Sequence, residues 1–142
     1  MASYTPIALQ MPWRQSTHFL ASDQSFLKTI VQSGYTNNQT APTKLFSLMA
    51  SNNDPVNTYT LQIAVFDSLG TTFLGTVSIP PNSGYTAAAQ AVNILNALSS
   101  LPTDDIGSPY LFLNPTDLLQ AKLTTTVSGA YVVAITAFGA DF

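Results

Sequence analysis

Residues 57–65 read NTYTLQIAV, with Tyr59, Leu61, Ile63 and Val65 alternating against Thr58, Thr60, Gln62 and Ala64. A period of two predicts a half-buried β-strand whose apolar set faces a core. A strand face turned to water ordinarily carries Lys or Glu, which keep it soluble and discourage edge pairing. This face carries hydroxyls, an amide and a methyl. A chain built of such strands has to stack sheets, and its outward faces need some other explanation.

The neutrality extends to the whole chain. Of 142 residues 8% are charged, against about 25% in ordinary soluble domains. All seven acids are Asp, and the bases are Arg14, Lys28, Lys44 and Lys122. Polarity comes from Thr, Ser, Asn and Gln. The 46% hydrophobic and 11% aromatic content is that of a globular domain and not of a disordered tail, and the length suits one core. A net charge of −3 argues against nucleic acid as a partner. The longest apolar runs are strand-sized, short of the roughly 20 residues a membrane helix needs. The first 15 residues lack the basic-then-apolar pattern of a signal peptide. With no cysteine, disulfides, thiolate chemistry and Cys-based zinc are excluded.

Strand-like segments recur at 26–32, 44–50, 57–65, 72–79, 110–113, 119–127 and 130–138, separated by turn residues. Asp67, Ser68, Leu69 and Gly70 form a hairpin-length connection, and Ser128 with Gly129 predicts a tight hairpin between the last two strands. One segment changes period: Ala88, Ala91, Val92, Leu95 and Leu98 predict an amphipathic helix over 87–98. The expected fold is all-β: an antiparallel β-sandwich or jelly-roll-like barrel of about seven strands with one short α-helix. Residues 23–142 form this single domain, and residues 1–22 an extended N-terminal arm.

Pro6 and Pro12 interrupt the apolar residues Ile7, Leu9, Met11 and Trp13, which favours an extended course. Such a segment either folds back onto its own core or docks on a neighbouring subunit. Tyr4, Ile7, Leu9, Met11 and Trp13 are the candidate partner-interface residues, because large apolar side chains are poorly left in solvent. Removal of residues 1–13 is expected to abolish partner binding and spare the β-fold.

The chain offers little catalytic chemistry. His18 is the single histidine, and no G-x-S-x-G elbow accompanies it. Asp104 and Asp105 are adjacent in a loop, where an Asx-turn or solvated corner is the commoner role than a catalytic pair or a calcium loop. The glycines suit turns, bulges and strand ends, and none opens a phosphate-binding helix. No catalytic residue, metal site or cofactor is expected.

An uncharged face suits a permanent assembly, because hydroxyls and amides pair across a contact without the desolvation cost of a buried charge. A resemblance agrees with this. TYTLQIAV, GTVSIPPNSG, VNIL, LPTDDIGSPYLFL, LLQAKLTTTV, AYVVAITAF and the closing GADF follow one another from residue 57 onward. In that order they resemble small virion structural proteins of tailed bacteriophages, most closely capsid decoration (cement) proteins. The resemblance implies a non-enzymatic β-rich accessory protein, made in the host cytoplasm without a signal peptide. It would bind outside the major capsid protein lattice and stabilise the head, with self-association as a homotrimer, and without nucleic acid or membrane partners. A neck, tail or baseplate protein is the alternative, followed by a carbohydrate-binding host-recognition module.

Overall fold

The computed structural model describes residues 11–23, 26–34 and 40–142. Their elements are β1 (Met11–Phe19), a 3-10 turn (Ala21–Asp23), β2 (Lys28–Gln32), β3 (Thr43–Asn52), β4 (Tyr59–Asp67), β5 (Gly70–Ile79), β6 (Val92–Asn93), α1 (Ile94–Ala97), β7 (Leu111–Leu113), β8 (Leu118–Leu123) and β9 (Val133–Asp141). Every strand pairing is antiparallel. One sheet runs β1-β9-β3, with β6 and β7 both on β3; the other runs β2-β8-β4-β5.

The pairings are nested. β4 pairs locally with β5, then β7 returns to β3, β8 to β2 and β9 to β1. The resulting ribbon folds over itself where β8 meets β4 and β9 meets β3. This is a jelly roll, the double-sheet form of the expected sandwich. Alternate residues of both sheets meet in the interior, where Ile30, Leu45, Leu48, Leu61, Ile63, Leu119, Leu123, Val133 and Ile135 are buried. The apolar set of residues 57–65 faces that core as the period of two requires, and Val65 packs at its margin.

Three local readings change. Met11–Phe19, placed by sequence in the arm, is strand β1 and pairs with β9 over nine residues. Pro12 is tolerated because β1 is an edge strand with a ladder on one side. Helix is confined to Ile94–Ala97, because Val92 and Asn93 are drawn out to pair with Ala50 and Met49. Tertiary pairing thus overrides the Ala-rich propensity of 87–91.

The last two strands are not a hairpin, since β8 and β9 lie in different sheets. Their connection crosses the end of the sandwich. It is anchored by Thr124 N donating to Thr60 O at 3.0 Å, Ser128 N to the Tyr59 hydroxyl at 2.9 Å and Val132 N to Asn53 Oδ1 at 2.7 Å. The hairpin expected at Asp67 to Gly70 does form, with Asp67 Oδ1 accepting from Leu69 N at 2.8 Å.

Candidate interaction surface

The outward face of the β2-β8-β4-β5 sheet is built from the second residue set of β4. Register places Thr60 beside Ser78, Gln62 between Thr76 and Lys122, and Ala64 between Phe73 and Gln120. Thr29 of β2 continues the row beside Gln120. Among the described residues Lys122 is the one charged side chain on this face, and its ammonium lies 5.8 Å from the centroid of the Phe73 ring. Such a contact is worth about 0.5–1 kcal/mol at an exposed site. Ala64 has no exposed surface although it points outward, being covered by larger neighbours.

Toward the β4–β5 turn the face becomes apolar. Phe66 pairs with Thr71 and so stands diagonal to Phe73 on the same side. Phe66 is 42% exposed, Phe73 54%, and Leu69 at the tip 96%. The Asp67 carboxylate caps that turn through Leu69 N. A sheet face with one charge among hydroxyls and amides, ending in an exposed apolar hairpin, is suited to contact with another macromolecule.

The residues singled out in the sequence are distributed differently. Tyr4, Ile7 and Leu9 lie outside the described residues. Met11 stands 44% exposed at the start of β1, opposite Asp141. Trp13, expected to dock on a neighbour, is 9% exposed and packed in the chain's own core. Its position follows from the β1–β9 register, which sets it over Gly139. Removing residues 1–13 would therefore also take out a core side chain and the first residues of β1. His18 is exposed on β1, and its carbonyl accepts from Lys28 Nζ at 2.6 Å. Asp104 folds its own loop, accepting from Ile106 N at 3.0 Å and Ser108 N at 2.9 Å.

Two buried carboxylates were not legible as such. Asp54 accepts from Val56 N, Asn57 N, Asn57 Nδ2 and the Tyr59 hydroxyl at 2.7–3.1 Å. Burial pushes this carboxyl up, but those hydrogen bonds outweigh it and hold its pKa at about 2. Burial also pushes the Tyr59 hydroxyl up. Asp141 Oδ1 accepts from Trp13 Nε1 at 3.0 Å and from the Thr43 hydroxyl at 2.6 Å, and Gly34 N donates to that hydroxyl at 2.7 Å. Both carboxylates tie strands and loops together. Among the described residues no three His, Cys, Asp or Glu side chains are grouped to hold a metal ion, and no helix is long and apolar enough to cross a membrane.

A cleft of about 160 Å³ opens on the other sheet, lined by Phe46, Asn93, Leu95, Asn96, Ser108 and Pro109. Phe46 is the extra residue of a bulge in β3 against β9 and stands half exposed.

No family model matches the chain, and no curated protein matches it. Two solved viral structures contain similar chains. One, from the cyanophage Pam1 capsid asymmetric unit, aligns with TM-score 0.44 at 9% identity, covering 100% of this chain and 92% of that one. The other, from the extra small virus virus-like particle of the giant freshwater prawn Macrobrachium rosenbergii, aligns with TM-score 0.37 at 17% identity, covering 100% of this chain and 87% of that one. Likenesses at this level carry no argument about function, which rests on the chain's own surfaces.

Proposed function

We propose that this chain is a non-enzymatic structural subunit of a virion. In the finer reading it is a decoration (cement) protein that binds outside the major capsid protein lattice of a tailed bacteriophage and stabilises the head as a homotrimer. The observation that carries the reading is the neutral outward face of β2-β8-β4-β5 with its apolar hairpin tip. Among the described residues Leu69, Phe66 and Phe73 keep 96%, 42% and 54% of their surface exposed, and burying the remainder against a neighbour contributes up to about 1.5–3 kcal/mol for each. The resemblance of its sequence elements, in their order, to those of phage virion proteins supports the same reading. A jelly roll accommodates it without requiring it, because one fold hosts many functions.

In this account the chain bridges adjacent capsid subunits through many weak, symmetrically repeated contacts, so that avidity exceeds any single interface. Tyr4, Ile7 and Leu9 supply an arm contact, with Met11 beside them at the start of β1, and the hairpin tip a second. Co-sedimentation of the purified chain with capsids assembled without it tests the proposal. The intact chain is expected to bind, and L69S/F73S to bind at least about tenfold more weakly with its thermal transition unchanged. Equal binding by that variant would remove the hairpin from the interface.

The Phe46 cleft favours a second reading, a glycan-binding module, since a half-exposed ring beside Asn93 and Asn96 can stack on a sugar and bond its hydroxyls. Saturable glycan binding lost in Phe46→Ala would establish it.

A further inference from the structure

We propose that β5 pairs edge to edge with β5 of a second copy in an antiparallel two-fold contact, joining two four-stranded sheets into one of eight. The inference rests on the structural-subunit reading and names the partner of one of its surfaces.

The sheet edges differ in how they are guarded. β1 carries Pro12, Arg14 and His18. β2 is five residues long, begins at Lys28 and is bulged between Thr29 and Val31. On the far side of β3, β6 and β7 have two and three residues. These are the devices by which proteins block unwanted strand addition: prolines, charges, bulges and shortness. β5 runs ten residues, GTTFLGTVSI, with neither a charge nor a proline. Its one irregularity is the bulge that sets Leu74 between the pairs Ile63–Gly75 and Ala64–Phe73. β4 lies on one side of it, and among the described residues no strand lies on the other. Such an edge presents a row of backbone N–H and C=O groups to an incoming strand.

The composition of β5 favours a second copy as that strand. In a two-fold contact each strand faces itself reversed, so any charge on it would be set near its own like charge. β5 offers Thr71, Thr76 and Ser78 on its outward side, residue types whose hydroxyls can pair across strands. Phe73, half exposed on the outward face, acquires a cross-seam neighbour. Lys122 lies on β8, two strands in from the edge. Its symmetry mate is five strand spacings away, about 24 Å, well beyond the screening length of about 8 Å at physiological salt. A two-fold contact cannot close a trimer, so in the proposed homotrimer it joins copies belonging to different trimers, and in sedimentation it pairs whatever unit the chain forms.

The chain has no cysteine, so single-cysteine variants of the full chain report the seam directly. Under mild oxidation Thr71→Cys, Phe73→Cys and Thr76→Cys are scanned against Ser16→Cys on β1. At least one β5 position is expected to give about tenfold more disulfide-linked dimer than Ser16→Cys. Sedimentation up to about 1 mM, where even a 4 kcal/mol contact is populated, gives the second readout. T71K/T76K and T71D/T76D are each expected to lose the dimer, and an equimolar mixture to recover it, which an unfolded variant could not do. A wild-type chain without the two-fold dimer at that concentration, or equal cross-linking at Ser16, overturns the pairing. A dimer formed by a chain absent from virions would instead overturn the structural-subunit reading alone.

Discussion

Trp13 and Asp141 stand 128 residues apart in sequence, yet the indole Nε1 donates to the carboxylate at 3.0 Å in a buried contact. The bond fastens the first described strand to the last, and with Thr43 it closes one end of the sandwich. Trp13→Ala removes a core ring, and the expected cost is about 3–5 kcal/mol. Trp13→Phe keeps most of the packing but deprives the buried carboxylate of a donor, at about 1–3 kcal/mol. Urea midpoints of the two variants check this order; equal stability of Trp13→Ala and wild type would place the ring outside the core.

Gly139 lies under that same ring. A Cβ at this position would come within 2.7 Å of Trp13 Cζ2, 3.0 Å of the Lys44 carbonyl oxygen and 3.1 Å of Leu45 Cδ2. Gly139→Ala is therefore expected to destabilise by about 1–3 kcal/mol through overpacking. Gly107→Ala is the control for space, since no atom lies within 4 Å there and its cost is confined to a φ of +85°. A shifted indole fluorescence spectrum in Gly139→Ala, unshifted in Gly107→Ala, distinguishes the two.

Asp54 makes stability depend on acid. Its folded pKa of about 2 lies below the ordinary 3.8, so its contribution is complete above about pH 4 and is lost as pH falls toward 2. Asp54→Asn is expected to be less stable at neutral pH and to lose less on acidification through that window. Denaturant titrations at several pH values measure both. Parallel acid profiles for the variant and wild type would contradict the role assigned to this carboxylate.

The proposed arm contact is tested by cutting at the start of β1, Met11. Deleting residues 2–10 leaves β1 whole and is expected to preserve the thermal transition while weakening capsid binding at least about tenfold. Deleting residues 2–13 removes Trp13 as well and lowers the transition itself. Circular dichroism melts and co-sedimentation separate these outcomes, and undiminished binding after the shorter deletion would rule the arm out as a contact.

Where apolar and polar residues alternate within one strand, sequence reading located β3, β4 and β5 to within a few residues. It failed where the deciding partner is distant. Pro12 argued against a strand, but β1 exists because β9 offers nine residues of ladder. The Ala-rich run at 87–91 argued for helix, but β3 draws the following residues into pairing. The last two strands look like a hairpin locally, and only the nested pairings send β8 and β9 to different sheets. The neutral face was legible from β4 alone. Its apolar tip was not, because only the β4–β5 register brings Phe66 and Phe73 to one side. Asp54 read as a turn residue and Asp141 as part of a terminal motif, since nothing local announces that each is buried.

The proposed role makes this chain a stoichiometric part of a virion shell. Quantitative mass spectrometry of purified particles, scaled to the major capsid protein, tests it most directly. A ratio near one copy per capsid subunit is expected. A ratio of a few per cent would move the chain to the neck, tail or baseplate, and its absence from the particle would rule out a virion role.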